Sequence, residues 1–151
     1  MKKILILAIT SILFSPFAGA KGLFEGSESK FCFESTPDVP QQNNCLSDAS
    51  EKSQKKLDRL INITRKRIKV YNHGPFYLKG PITPTIGDVY SKRFMKAQII
   101  WKRYRKELCL AVAGELYEDS WDYSRFMEQC QINLNKRHME EIEAMGFDTD
   151  E

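Results

Sequence analysis

The chain has 151 residues, with 23 lysines and arginines against 20 aspartates and glutamates, enough for one modest domain. Residues 1–20 contain Lys2 and Lys3 and no acid, so the chain beyond them carries 21 basic and 20 acidic residues. So even a balance lacks the domain-wide basic excess of nucleic-acid binding, and no nucleic-acid partner is expected.

The first element in chain order is an export signal. Lys2 and Lys3 precede an apolar run from Ile4 to Phe14, followed by Ser15, Pro16 and the small residues Ala18-Gly19-Ala20. This is the order of a cleavable secretory signal peptide, which predicts residues 1–20 as the signal and Lys21 as the mature N-terminus. The run is too short for a membrane-spanning helix, and no cysteine at the cleavage point offers a lipid attachment, so no stable membrane anchor is expected. The predicted compartment is periplasmic or secreted. There Cys32, Cys45, Cys109 and Cys130 are expected to form two disulfides rather than free thiols. Joining sequence neighbours, Cys32 with Cys45 and Cys109 with Cys130, is the favoured pairing. Its rival joins Cys45 to Cys109 and Cys32 to Cys130, because the start of one helix and the end of the next share an end in an antiparallel hairpin.

Residues 21–40 are rich in Gly, Ser, Glu and Pro without a sustained period, which predicts an extended arm held by Cys32. From residue 41 the pattern becomes helical. Leu46, Ala49, Ser53, Leu57, Leu60, Thr64, Ile68 and Tyr71 recur at three- and four-residue steps, with Asn43 or Asn44 as the cap. His73-Gly74-Pro75, Gly80-Pro81 and Pro84 stop this helix and form the main loop. A second helix carries Tyr90, Phe94, Ala97, Trp101, Tyr104, Leu108 and Ala111 and ends at Gly114; a third, capped by Ser120, carries Tyr123, Met127, Cys130, Leu134, Ile142 and Met145 and closes at Gly146. No segment alternates with a period of two. The expected fold is all-α, a small antiparallel three-helix bundle spanning residues 41–146, with a long Pro/Gly loop, two disulfide staples and an acidic tail at residues 147–151.

Catalytic chemistry finds little foothold. There is no nucleophile elbow and no Gly-rich phosphate loop, and the glutamates at 140, 141 and 143 have the pattern of a solvated helix face, so no enzyme activity is expected. His73 and His138 lie far apart and keep no ligand spacing with a second histidine or thiol. Both are expected at the surface, and no metal or other cofactor is expected.

The most distinctive string is Gln98-x-x-Trp101-x-x-Tyr104-Arg105-x-x-x-Cys109. Trp101, Tyr104, Arg105 and Leu108 lie three or four residues apart and share a helix face. Such a face serves either as an aromatic and cationic binding patch or as core, with Trp101 and Tyr104 buried and Arg105 paired to an acid on a neighbouring helix; the core reading is favoured. Together with the Cys32/Cys45 pair, Cys130 and the later Arg137, this string makes the chain resemble the LprI-like lysozyme inhibitor family over about residues 32 to 142. The resemblance implies a secreted helical domain with disulfides that binds a protein partner, lysozyme being the named candidate. Lysozymes of the animal type are basic, so the partner contact is expected at acids, and Glu115, Glu118, Asp119 and Asp122 form the candidate cluster. The alternative is a structural or assembly factor of the bacterial envelope without lysozyme inhibition. The oligomeric state is left open.

Overall fold

The structure is a computed structural model that describes residues 22–80 and 84–147. The expected signal peptide, Lys21, Pro81 of the expected main loop and residues 148–151 of the acidic tail lie outside the described residues. The described chain forms four helices: α1 (Ser27–Ser35), α2 (Val39–Tyr71), α3 (Ile86–Ala113) and α4 (Trp121–Glu143). It is all-helical as expected, with four helices in place of three.

The added helix lies in the segment expected to be an extended arm. Gly26 is the N-cap, Glu28 sits in the first turn where the helix dipole favours an acid, and Pro37 follows the extended C-cap Thr36. Its buried residues are Ser29 and Cys32, so α1 has a polar docking face rather than an apolar stripe. The Ser29 N–H donates to Gln129 Oε1 at 2.7 Å, and Gln129 Nε2 donates to Glu28 Oε2 at 3.2 Å. Asn133 Nδ2 donates to the carbonyls of Leu23 and Glu25, both at 2.8 Å. A Cβ on Gly26 would lie 2.1 Å from Gln129 Nε2, so a larger residue there would displace the Gln129 amide from its bonds to α1.

Helix α2 starts at Val39, earlier than Asn43 or Asn44; Asp38 stands at the N-cap in extended backbone without a side-chain cap hydrogen bond, and Pro40 fits the first turn, where its missing N–H costs no helical hydrogen bond. Gln42 Nε2 closes the α1–α2 corner by donating to Thr36 O at 2.6 Å. Helix α3 begins with a capping box between Thr85 and Asp88, and Ser120 Oγ caps α4 by accepting from the Tyr123 N–H. Helix α4 ends at Glu143, and Gly146 beyond it takes a positive φ of 75°.

The three long helices share a core of Leu57, Leu60, Ile61, Ile68, Phe94 and Ile142. A smaller cluster, Cys32, Leu46 and Ile132, lies beneath α1, and a third around Cys109, Cys130 and Leu134 lies near the α3–α4 turn. Disulfides join Cys32 to Cys45 and Cys109 to Cys130, each with Cα atoms 5.6 Å apart, so the sequential pairing holds and the rival pairing does not. Cys130 lies nine residues into α4, whereas Cys109 lies four residues from the end of α3, an axial offset of roughly 7.5 Å at 1.5 Å per residue. The turn makes up this offset. After Ala113 the chain takes tight single turns, with Gly114 N–H bonded to Ala111 O and Leu116 N–H to Ala113 O, before α4 starts at Trp121.

Candidate partner-binding site

The family-like string on α3 divides between core and surface. Its buried face runs through Ser91, Phe94, Gln98, Cys109 and Ala113. The expected stripe of Ala97, Trp101, Tyr104 and Ala111 is rotated off this face: Ala97 and Ala111 are exposed, Tyr104 is 55% exposed and Trp101 is half-buried. The core reading therefore holds in part for Trp101 and fails for Tyr104. The physical reason is that polar side chains occupy inward positions that hydrophobic periodicity assigns to apolar ones.

Arg105 shows which partners those polar positions find. From α3 its guanidinium donates to Gln54 Oε1 on α2 and to Asn135 Oδ1 on α4, tying three helices together. Asn135 Nδ2 in turn donates to Ser53 Oγ at 3.1 Å. The partners are thus two amides rather than the expected acid. Asp58 supplies the nearby negative charge; it accepts from Gln54 at 2.9 Å and from Lys102 at 2.5 Å. Burial pushes the Arg105 pKa below its usual value, and the charge of Asp58 opposes that shift. Burial alone would raise the Asp58 carboxyl, but the hydrogen bonds from Gln54 and Lys102 and the charges of Lys102 and Arg105 bring it below its usual value.

Trp101 lies against the same framework. Its ring stacks on His138, with centroids 3.9 Å apart and planes 7° off parallel, while the Arg105 guanidinium sits 5.5 Å from the ring centroid. His138 is buried, contrary to its expected surface position, and its ring nitrogens lie 2.7 Å from Gln98 Oε1 and 2.7 Å from Glu141 Oε2. Gln98, Trp101, Arg105, Cys109 and Cys130 are therefore mainly architectural. Arg137 does not join them; it is exposed on α4 and lines an open depression with Glu25 and Lys136.

The acidic candidates come together at one place. Glu115, Glu118, Asp119 and Asp122 are all exposed on the turn between α3 and α4 and its first α4 residues. Two aromatics that periodicity does not single out sit among them, Tyr117 at 85% and Trp121 at 63% exposure. Both fall at a turn and a helix start, where no stripe is measurable; the signal in the sequence is the composition of Glu115-Leu116-Tyr117-Glu118-Asp119-Ser120-Trp121-Asp122. Local hydrogen bonds hold the turn in shape, from Ser120 N–H to Tyr117 O at 2.9 Å and from Tyr123 N–H to Ser120 Oγ at 3.2 Å. The Cys109–Cys130 disulfide clamps the hairpin behind it. Among the described residues no group of three or more His, Cys, Asp or Glu is arranged to hold a metal ion, and no helix is long and apolar enough to cross a membrane.

No family model, no curated protein and no solved structure matches this chain.

Proposed function

We propose that this protein is an exported binding protein of the LprI-like inhibitor type, acting in the periplasm or outside the cell, and that it grips a basic protein partner with the α3–α4 turn. The observation that carries this reading is the pair of exposed aromatics Tyr117 and Trp121 set among Glu115, Glu118, Asp119 and Asp122. Tyrosine and tryptophan supply large contact area at low conformational cost and dominate interface energetics, while surrounding carboxylates steer a cationic partner and fix its register. A disulfide-clamped hairpin pre-organises the contact, so little ordering entropy is lost on binding. The two disulfides also support an oxidising compartment.

Lysozyme of the animal type is the candidate partner, because it is basic and because the α3 string resembles that inhibitor family. The test is lysis of a cell-wall suspension by such a lysozyme during titration with the mature chain. Inhibition is expected, and Tyr117→Ser with Trp121→Ser should weaken it at least a hundredfold, since truncating two central aromatics costs about 2 kcal/mol each or more. Undiminished lysis, or equal inhibition by the double variant at unchanged helicity, overturns the reading.

A further inference from the structure

The outer side of α3 carries an apolar line of its own. Ala97, Ile100, Tyr104 and Ala111 are exposed at helical spacing, with the half-buried Trp101 and Leu108 along one edge. Between Ala97 and Tyr104 this line forms the floor of an open, almost wholly apolar groove of about 480 Å³, walled by Gln98, Trp101 and His138. The inward positions Phe94, Gln98 and Cys109 already serve the bundle. Helix α3 thus has a second apolar face, and no described element covers it. Such a face marks an interaction surface.

The charges beside the stripe select its occupant. On one side Gln98 and Trp101 meet His138 of α4. On the other side lie Lys96 and Glu107, about three helical turns apart and so on the same flank, with Arg103 between them. All three are exposed, and none enters an ion pair among the described residues. The Glu107 carboxylate cannot reach Lys96 of its own helix, ~16 Å away along the axis. In two antiparallel helices related by a two-fold axis, however, each flank meets its own copy in reverse order. That order sets lysine against glutamate at both ends of the contact.

We infer that two copies of this chain associate with α3 packed antiparallel on α3, stripe to stripe, and with Lys96 of each copy paired to Glu107 of the other. An axis midway between Ile100 and Tyr104 sets Ile100 of one copy against Tyr104 of the other, and it brings Lys96 within about 1.5 Å of level with Glu107 of the second copy. Ala97 and Ala111 are small enough for the helices to approach closely. Arg103 of the two copies flanks the axis, where like charges oppose the contact and keep the dimer weak. The chain beyond residue 20 carries 21 basic and 20 acidic residues, so the copies do not repel as wholes. An acidic helix of another protein would answer Lys96 and Arg103 but set a carboxylate against Glu107, whereas a second copy answers both signs. The contact leaves the α3–α4 turn free and does not depend on the partner proposed for it.

Sedimentation equilibrium of the full mature chain tests the inference, followed to about 1 mM because a contact this small gives a weak dimer. A reversible monomer–dimer equilibrium is expected. Ile100→Asp should weaken it about thirtyfold or more, with circular dichroism unchanged because the side chain is exposed. Lys96→Glu and Glu107→Lys should each weaken it about tenfold, since either one sets like charges against each other at both ends. An equimolar mixture of those two variants should associate as well as the parent, because every facing pair then has opposite signs. Lysozyme inhibition by Ile100→Asp should match the parent at concentrations where both are monomeric, which separates failure here from failure of the partner reading. A chain that stays monomeric throughout overturns the inference and gives the stripe to another protein. A dimer indifferent to Ile100→Asp, or charge variants that the mixture does not rescue, overturns it as well.

Discussion

The two hairpin connections of the long helices solve the same problem with opposite means. Between α3 and α4 the chain turns in seven residues, carries carboxylates and exposed aromatics, and is clamped by a disulfide. Between α2 and α3 it takes a longer path, carries lysine and apolar residues, and is held at its base by backbone hydrogen bonds around Gly74, Asn72 and Gly87. A covalent clamp restrains the chain in the unfolded state as well as the folded one, whereas backbone bonds and close packing act only once α2 and α3 have met. The acidic end should therefore keep its shape under conditions that loosen the basic end.

Removing the clamp is the strongest way to break this contrast. Cys109→Ser with Cys130→Ser opens a loop with sequence separation 21, which in the chain-entropy model costs ~3 kcal/mol of stability. Urea unfolding should show that loss, and lysozyme inhibition should weaken beyond what the unfolded fraction explains, because the turn loses its pre-organisation. A parent-like unfolding midpoint would show that packing around Leu134 alone holds the hairpin.

The basic end has its own weak point at Gly87. A Cβ there would lie 2.9 Å from Asn72 O, 3.0 Å from Lys69 Cα and 3.1 Å from Ile68 O, all backbone atoms of the α2 terminus. Backbone cannot swing aside as a side chain can, so Gly87→Ala should push α3 off α2 at a cost of ~1 to 3 kcal/mol. Hydrogen exchange should rise first at Phe76, Ile86 and Gly87, while protection at Ser120 and Tyr123 stays close to the parent. Equal loosening at both ends would mean that the two connections are not independently held.

Much of this architecture was legible in the sequence, and the gaps have specific causes. The boundaries of α3 and α4 follow from chemistry that acts locally, the Gly114 stop and the Ser120 cap, and the structure keeps both. Helix α1 was illegible because its inward residues, Ser29 and Cys32, make no apolar stripe; Gln129 and Asn133, a hundred residues away, supply the partners that fix it. The inward face of α3 departs from its apolar period for a related reason. Gln98 and Arg105 point inward because His138, Gln54 and Asn135 wait for them on other helices, and no count along α3 contains that information. At the candidate site the carboxylates were visible as a charge cluster, but Tyr117 and Trp121 become meaningful only once the turn is known to leave them in solvent.

The smallest expected effect concerns how much negative charge the acidic half tolerates. Glu128 lies on α4 two residues before Cys130 and lines a shallow depression with Ser50, Gln54 and Arg105. Burial raises its pKa above the usual value of 4.5, and a hydrogen bond from Ser50 only partly opposes the shift. Folding thus disfavours the ionised form, so the stability contributed by protonated Glu128 is complete below the unfolded value and is lost as pH rises through the folded one. Asp58 and Glu28 act in the opposite sense: their pKa values are lowered, and their contributions are present at neutral pH and lost as pH falls through the folded values. Glu128→Gln keeps the side-chain length and a hydrogen-bonding group for Ser50 while removing the titration. The variant should be more stable than the parent once pH has risen through the folded value, by less than ~1 kcal/mol because the carboxyl is partly exposed and water screens it. Below the unfolded pKa the two should melt together. Thermal unfolding at acid and neutral pH reads the difference. A variant less stable at neutral pH would mean that the Glu128 carboxylate is held by the positive charge of Arg105, and that the acidic half extends as a balanced ion pair into the polar framework joining the three long helices.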